Sequence, residues 1–273
     1  MLSVSHLFIY PVKSLGGISV SSALITDTGL KYDRRWMLVD ENMRAITQRE
    51  VPQMALLQVE LISGGLKIFH KQKPGNSIII PFETECNKRA CVHIFDDTCE
   101  AVFVNREVDE WFSQMLLTSC RLVYMPFNVK RSVDKNYAHN GEVTSFADAF
   151  PFLMINQASL DSLNERLEEA LPINRFRPNI VFEGGMPFQE DSMSHFTINK
   201  INFFGVKPCA RCTITTVNKQ TATKGKEPLQ TLASYRQLNN KIFFGQNLLA
   251  GGKGIISVGD TIEVLRNDES FRI

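Results

Sequence analysis

Through the first hundred residues, apolar side chains come in short β-branched or aromatic runs. These are Leu7–Val12, Val20–Ile25, Arg35–Val39, Leu56–Ile62, Leu66–Phe69 and Ser77–Ile80. Turn-forming residues separate them: Gly16-Gly17, Asp27-Thr28-Gly29, Ser63-Gly64-Gly65 and Lys73-Pro74-Gly75. Ala90–Phe95 and Ala101–Val104 continue the pattern around Asp96-Asp97. Short strands at this spacing predict an all-β barrel or sandwich.

The period then changes. Val108, Trp111, Phe112, Met115 and Leu116 recur at helical spacing and predict an amphipathic helix of about three turns. A strand over Arg121–Met125 follows. Asn128–Glu142 is polar and aperiodic, which predicts a long exposed loop. Leu160, Leu163 and Leu167 mark a second helix ended by Pro172. A third begins near Glu227, with Pro228 in its first turn and Leu229, Leu232 and Tyr235 on one face. Strands are predicted over Asn179–Phe182, Phe196–Ile198, Ile201–Phe204, Thr213–Val217 and Thr261–Leu265, and Ile242–Gly245 reads as core. The fold class is mainly β with a few helices (α+β), in two β-rich halves with a boundary near residues 105–128.

Composition narrows the class. The chain has 273 residues, 44% hydrophobic and 22% charged, enough to bury a sizeable core. Its formal charge of +1 argues against a general nucleic-acid binder or polybasic membrane protein. No apolar run approaches the ~18–20 residues that span a bilayer. The N-terminus lacks the basic and apolar regions of a signal peptide and reads as a strand. Six scattered cysteines do not suit a secreted disulfide scaffold. A soluble cytoplasmic protein with reduced thiols is expected.

The sharpest local feature is Lys207-Pro208-Cys209-Ala210-Arg211-Cys212, two thiols three positions apart between cations that favour thiolate. Such a pair can bind zinc, cycle as a redox couple, place one thiolate on a cofactor metal, or simply be buried. Zinc needs two more ligands, and Cys86-x4-Cys91 is poorly spaced for them. A redox couple expects a following helix, whereas Thr213–Val217 reads as a strand.

A second feature is cations at strand ends: Lys13 with Ser14, Arg34-Arg35, Arg49, and Arg177 before Asn179. Strand ends share a mouth, where several cations could clamp a phosphate; each alone could equally be surface charge. Asp148 sits between apolar neighbours and could be partly buried, and Asp33 could pair with Arg34. The histidines His6, His70, His93, His139 and His195 form no metal-spaced cluster. No nucleophile elbow, P-loop or dinucleotide fingerprint is present.

Taken in order, Leu7–Ser14, Asp33-Arg34, Phe176–Ile180, Lys207–Cys212, Glu227–Leu232 and Phe244–Asn247 resemble the MOSC (molybdenum cofactor sulfurase C-terminal) superfamily. Residues 1–115 look like its N-terminal β-barrel domain and 116–273 like the MOSC domain. Within it, the chain is similar to bacterial relatives of the mitochondrial amidoxime-reducing component.

The resemblance implies a molybdenum cofactor, a pterin dithiolene holding molybdenum and ending in a phosphate. It implies Cys212 as the metal ligand and Asp148 as the acid near it. Lys13, Ser14, Arg34, Arg177, Asn179, Ala210, Arg211 and Asn247 fall on cofactor-contacting positions. Ala149 and Phe150 stand where animal members carry small polar residues, so any contact there would be through backbone. Asn218 replaces a common aspartate. The implied activity is reduction of N-hydroxylated compounds: hydroxylamines, amidoximes or N-hydroxylated bases. The alternative is a sulfur-transfer or cofactor-carrier module using a persulfide on Cys209 or Cys212; a zinc-stabilised binding module is a third. Several bacterial relatives continue into a ferredoxin-like domain, and no plant-type iron–sulfur spacing occurs before Ile273. Electrons are therefore expected from a separate reductase or ferredoxin.

Overall fold

Two-residue alternation splits the opening strand, Leu2–Ile9, between two cores. Val4, Leu7 and Ile9 enter one with Phe152, Met154, Phe196 and Phe203. Phe8 and Tyr10 turn to the other face, against Val181. A bulge between Val4 and His6 resets the phase, which is how Val4 and Leu7 share a side. The computed structural model describes residues 1–82, 86–138 and 140–269; His139 lies outside them.

Seven strands close a barrel. Its path runs Phe152–Asn156, Ile180–Glu183, Leu2–Ile9, Thr261–Asn267, Met193–Ile198, Ile201–Ala210, Lys241–Ala250 and back to Phe152–Asn156. Only Phe152–Asn156 and Ile180–Glu183 pair in parallel, and a parallel pair needs a long crossover. That crossover includes the helix Gln157–Asn164, capped by the Asn156 side chain accepting from Ala158 N–H at 3.1 Å. Leu160 and Leu163 pack it onto Phe176, Leu232 and Phe244.

The N-terminal half adds a four-stranded sheet ordered Trp36–Val39, Arg121–Tyr124, Asp97–Phe103, Arg89–Ile94. A three-stranded meander follows the order Leu57–Ile62, Gly65–His70, Lys73–Pro81. The helix Arg106–Leu116 is capped by Asn105, which accepts from Val108 N–H at 2.9 Å. Its Val108, Phe112 and Leu116 bury into a core with Trp36, Leu38 and Leu57.

Five sequence readings are corrected. Thr213–Thr216 is a 3-10 turn, not a strand; Thr215 and Thr216 hydroxyls donate to the carbonyls of Cys212 at 3.0 Å and Thr213 at 2.8 Å, closing the turn locally. Lys73-Pro74-Gly75 lies inside an edge strand, where proline is tolerated. The second helix stops at Asn164, whose side chain bonds the Leu171 backbone, well before Pro172. The stretch 128–142 is not simply exposed: Arg131 is buried, and Arg131–Ser132 pairs with Val143–Thr144. The helix after Pro228 is short, Leu229–Ala233.

The segments after the first strand are clipped to the N-terminal half. Lys13 N–H donates to Trp36 O at 2.8 Å, Arg34 N–H to Tyr10 O at 2.9 Å, and Phe146 N–H to Arg34 O at 2.9 Å. Residues 10–14, 33–36 and 146–148 are thereby held side by side at one mouth of the barrel.

Candidate functional site

That mouth is a cleft, partly open to solvent, and every residue that the family resemblance assigned to the cofactor lines it. Lys13, Ser14, Arg34, Asp148, Arg177, Asn179, Ala210, Arg211, Cys212 and Asn247 come together from segments across the chain. Two further cations do not join them. Arg49 lies in an adjoining groove. Arg35 turns elsewhere, to Thr28 Oγ1 at 3.2 Å and the Met125 carbonyl.

The cationic end is built on Tyr10. Its ring carries the guanidinium of Arg34 at 4.7 Å and of Arg177 at 4.3 Å. Gly17 leaves room for that ring, because a Cβ there would sit 2.3 Å from it. Arg34 donates to Asp33 at 2.5 Å, to Asn179 Oδ1 at 3.1 Å and to Arg177 O at 3.2 Å. Asn179 is fully engaged in holding this geometry, since its Oδ1 also accepts from Leu153 N–H and its Nδ2 donates to Phe8 O. Arg177 donates one Nη to Leu15 O at 2.6 Å. Its other Nη is buried without a partner among the described residues. Burial and the neighbouring Arg34 push Arg177 down to about 10. Burial opposes the charge on Arg34 too, but Asp33 outweighs it and raises the group. Burial also drives the Tyr10 phenol well up.

Three cleft residues carry backbone strain. Ser14, Arg34 and Arg177 all adopt the left-handed region, with φ of 67°, 49° and 57°. Non-glycine residues held there cost ~1–3 kcal/mol each and cluster at functional sites.

The acid stands beside Lys13, whose Nζ donates to Asp148 Oδ1 at 2.5 Å and Phe146 O at 2.7 Å. Lys13 is buried, whereas the Asp148 side chain is 63% exposed to the cleft. Enclosure raises the Asp148 carboxyl, but Lys13, then Arg49 and Arg34, overcome it and hold the acid well below the carboxylate range. Burial lowers Lys13, and Asp148 offsets part of that. Arg131 fixes the loop behind the acid, donating to the carbonyls of Ser145, Ala147 and Asp148 at 3.0, 2.5 and 3.0 Å and to Asp97 at 2.6 Å.

The thiol end hangs from the Ile201–Ala210 strand, whose pairing with Lys241–Ala250 slips between Pro208 and Ala210. Such a bulge re-aims side chains; both cysteines line the cleft but differ in what else they touch. Cys209 packs against the Phe176–Phe244 core and accepts from Arg211 Nη1 at 3.0 Å. Cys212 opens the 3-10 turn and lines the cleft, with its carbonyl taken by Thr215. Arg211 also donates to Phe176 O at 2.7 Å, and its Nε is left buried without a partner among the described residues. Asn247 donates to Lys207 O at 3.0 Å across the same bulged pair.

This donor set suits a ligand with an anionic end and a soft metal. Unmatched buried donors on Arg177 and Arg211 call for an acceptor, and a thiolate is a soft-metal ligand. Among the described residues no cluster of three or more His, Cys, Asp or Glu gathers, so a protein-only zinc site is not built. Tyr10 and Arg131 were missed from the sequence. Tyr10 directly precedes Pro11-Val12-Lys13, a weak signal; Arg131 lies in an aperiodic polar stretch that carries none.

Two family models match the chain: the MOSC N-terminal beta barrel domain over residues 1–119 and the MOSC domain over residues 141–263. The chain is 34% identical over 281 residues to mitochondrial amidoxime-reducing component 1 of Mus musculus, covering 96% of this chain and 82% of that protein. It is 34% identical over 250 residues to mitochondrial amidoxime reducing component 2 of Bos taurus, covering 86% and 72%. It is 30% identical over 263 residues to molybdenum cofactor sulfurase of Oryza sativa subsp. japonica, covering 89% of this chain and 32% of that protein.

Proposed function

Since the chain belongs to the MOSC family, with both its N-terminal barrel domain and its MOSC domain, we propose that the cleft holds a molybdenum cofactor and that the protein reduces N-hydroxylated compounds. The observation that carries this reading is the meeting, in one cleft, of a thiol beside Arg211 at one end and the Arg34–Arg177 pair, with an unmatched Arg177 Nη, at the other. A single ligand with a metal–dithiolene head and a phosphate tail answers both.

Cys212 would ligate the metal. Arg34, Arg177 and Ser14 would take the phosphate, Lys13 would contact the cofactor beside Asp148, Asn179 would hold Arg34 in place, and Ala210, Arg211 and Asn247 would flank the pterin. When bound, the cofactor supplies the two-electron chemistry. The chain's own task is positioning and protons. Reducing one N–OH to N–H takes two electrons and two protons and releases water. Asp148, ionised and open to the cleft, would orient the N–OH group, and the Lys13 ammonium behind it holds a proton at Nζ within 2.5 Å of the carboxylate. The electrons would come from a separate reductase or ferredoxin. No described helix is long and apolar enough to cross a membrane.

The similarity to molybdenum cofactor sulfurase keeps sulfur transfer as the second reading. Metal analysis of protein made in a cofactor-competent host decides between them. The reductase reading expects about one molybdenum per chain and reduction of benzamidoxime with reduced viologen as donor. Cys212→Ser should lose both, and Cys209→Ser, whose thiol is already engaged with Arg211 and the Phe176–Phe244 core, should keep most of both. Sulfane sulfur on a cysteine without molybdenum would instead establish the sulfur-transfer reading.

A further inference from the structure

A second groove adjoins the cleft, and Lys13 lines both. It runs between residues 44–50 and the tip of a hairpin at residues 93–96. The hairpin joins Arg89–Ile94 to Asp97–Phe103 through a two-residue loop, Phe95-Asp96. Phe95 takes a φ of 53°. The first position of such a loop, when φ is positive, belongs to glycine, asparagine or aspartate. A phenylalanine there is strained, and its burial does not compensate, since the residue is 55% exposed. A costly backbone that displays a half-exposed ring over a groove points to a role outside folding.

The ring has a cationic neighbour with donors to spare. The Arg49 guanidinium lies 4.7 Å from the ring centroid, and Lys13 Nζ 5.6 Å. Lys13 is taken by Asp148. Arg49 uses only its Nε, toward Thr47 Oγ1 at 3.3 Å; its Nη groups find no partner among the described residues. Glu50, also in the groove, forms no ion pair with it; its Oε2 accepts from Thr47 N–H at 2.9 Å and Thr47 Oγ1 at 2.5 Å. Arg44 and Asp96 line the same groove with opposite signs. Lys224 Nζ donates to the Arg49 carbonyl at 2.7 Å, tying this arginine to the other half of the molecule. The groove therefore offers one flat apolar surface and one free planar cation, next to the acid of the cleft.

We propose that Phe95 and Arg49 select the substrate: a flat aromatic N-hydroxylated compound bearing a carboxylate, its ring against Phe95, its carboxylate on Arg49 and its N–OH toward Asp148. This rests on the reductase reading above and adds the substrate class to it. A guanidinium fork matches a carboxylate bidentately, which a lysine cannot reproduce.

The test compares hydroxylamine, benzamidoxime and 4-carboxybenzamidoxime as substrates of the molybdenum-loaded protein with reduced viologen. The wild type should favour the carboxylated compound in kcat/KM over benzamidoxime. Arg49→Ala should remove that preference by about ten- to a hundredfold, the range for a charge-assisted contact. Arg49→Lys should restore only part of it. Because Arg49 also acts on Asp148, the ratio of the two aryl substrates, not the rate with either, is the readout. Phe95→Gly should raise KM for both aryl substrates, leave hydroxylamine unchanged and not lower the thermal midpoint, since glycine relieves the strained turn. Wild-type ratios and KM values in both variants would overturn the recognition role while the reductase reading stands. If the loaded wild type reduces none of the three, the reductase reading fails, and calorimetric titration with 4-carbamoylbenzoate decides the groove: Arg49-dependent binding supports it, and absent or Arg49-independent binding overturns it.

Discussion

Two buried arginines in this protein meet opposite fates. Arg236 lies deep between the 3-10 turn Gln189–Asp191 and the Lys241–Ala250 strand, over the Phe188 ring, and forms an ion pair with the buried Asp191. Next to it, burial and then the Asp191 charge raise Glu190 to about 8, so that corner cancels its charge at neutral pH. Arg177 is equally buried but faces another arginine across Tyr10, with one Nη unmatched. Lys13, Arg34, Arg177 and Arg211 gather with, among the described residues, only Asp33 and Asp148 paired against them. Arg236 finds its counter-charge within the fold. Cations left over at a cleft point to a counter-charge that arrives from outside.

The largest expected effect breaks the first arrangement. Arg236→Ala leaves Asp191 buried without its partner and should cost about 3–5 kcal/mol of stability, read by denaturant unfolding. Molybdenum per folded chain should stay at the wild-type level. Comparable destabilisation by Arg177→Ala would erase the distinction between the two arginines.

Arg177→Ala tests the second arrangement. It removes one bond to Leu15 O and relieves repulsion from Arg34, so unfolding free energy should fall by less than about 1.5 kcal/mol. Affinity for the cofactor should fall by about 1.5–3 kcal/mol, seen as lower molybdenum content under limiting cofactor. Undiminished molybdenum content would refute the clamp.

The smallest effect sharpens the neutral corner. Glu190 lies at about 8 in the folded chain against 4.5 ordinarily. The native state therefore holds a proton that the unfolded chain releases, and stability falls as pH rises. The contribution is whole below about 4.5 and is lost as pH passes through about 8. Between pH 7 and 8 the loss cannot exceed about 1.4 kcal/mol, the ceiling for one proton. Glu190→Gln should flatten the slope in denaturant titrations across that interval; an unchanged slope would place the proton elsewhere.

Much of this was legible in the sequence, for a physical reason. Strands at a barrel mouth must end in cations and small residues if the mouth binds an anion, so Lys13, Arg34 and Arg177 stood out against apolar runs. Periodicity also marked Arg106–Leu116, whose buried face recurs at helical spacing. What failed was decided by contacts distant in sequence or by side chains closing on their own backbone. Thr213–Thr216 carries strand-forming residues, yet its hydroxyls make a turn. Arg131 looks like loop charge until the carbonyls of residues 145–148 surround it. Phe95 looks like the end of a strand, and only its backbone angle marks it out.

The placement of Leu2–Ile9 has a consequence for the order of events during synthesis. This strand lies between Ile180–Glu183 and Thr261–Asn267. Apart from the short local pairing with Ile18–Val20, its partners are made about 170 to 260 residues later, and such distant pairings form slowly. Lys13 and Ser14, four and five positions past that strand, cannot face Arg177 and Cys212 until the barrel closes. The cleft is thus among the last features to come into being, and whatever fills it meets a finished protein rather than a nascent one.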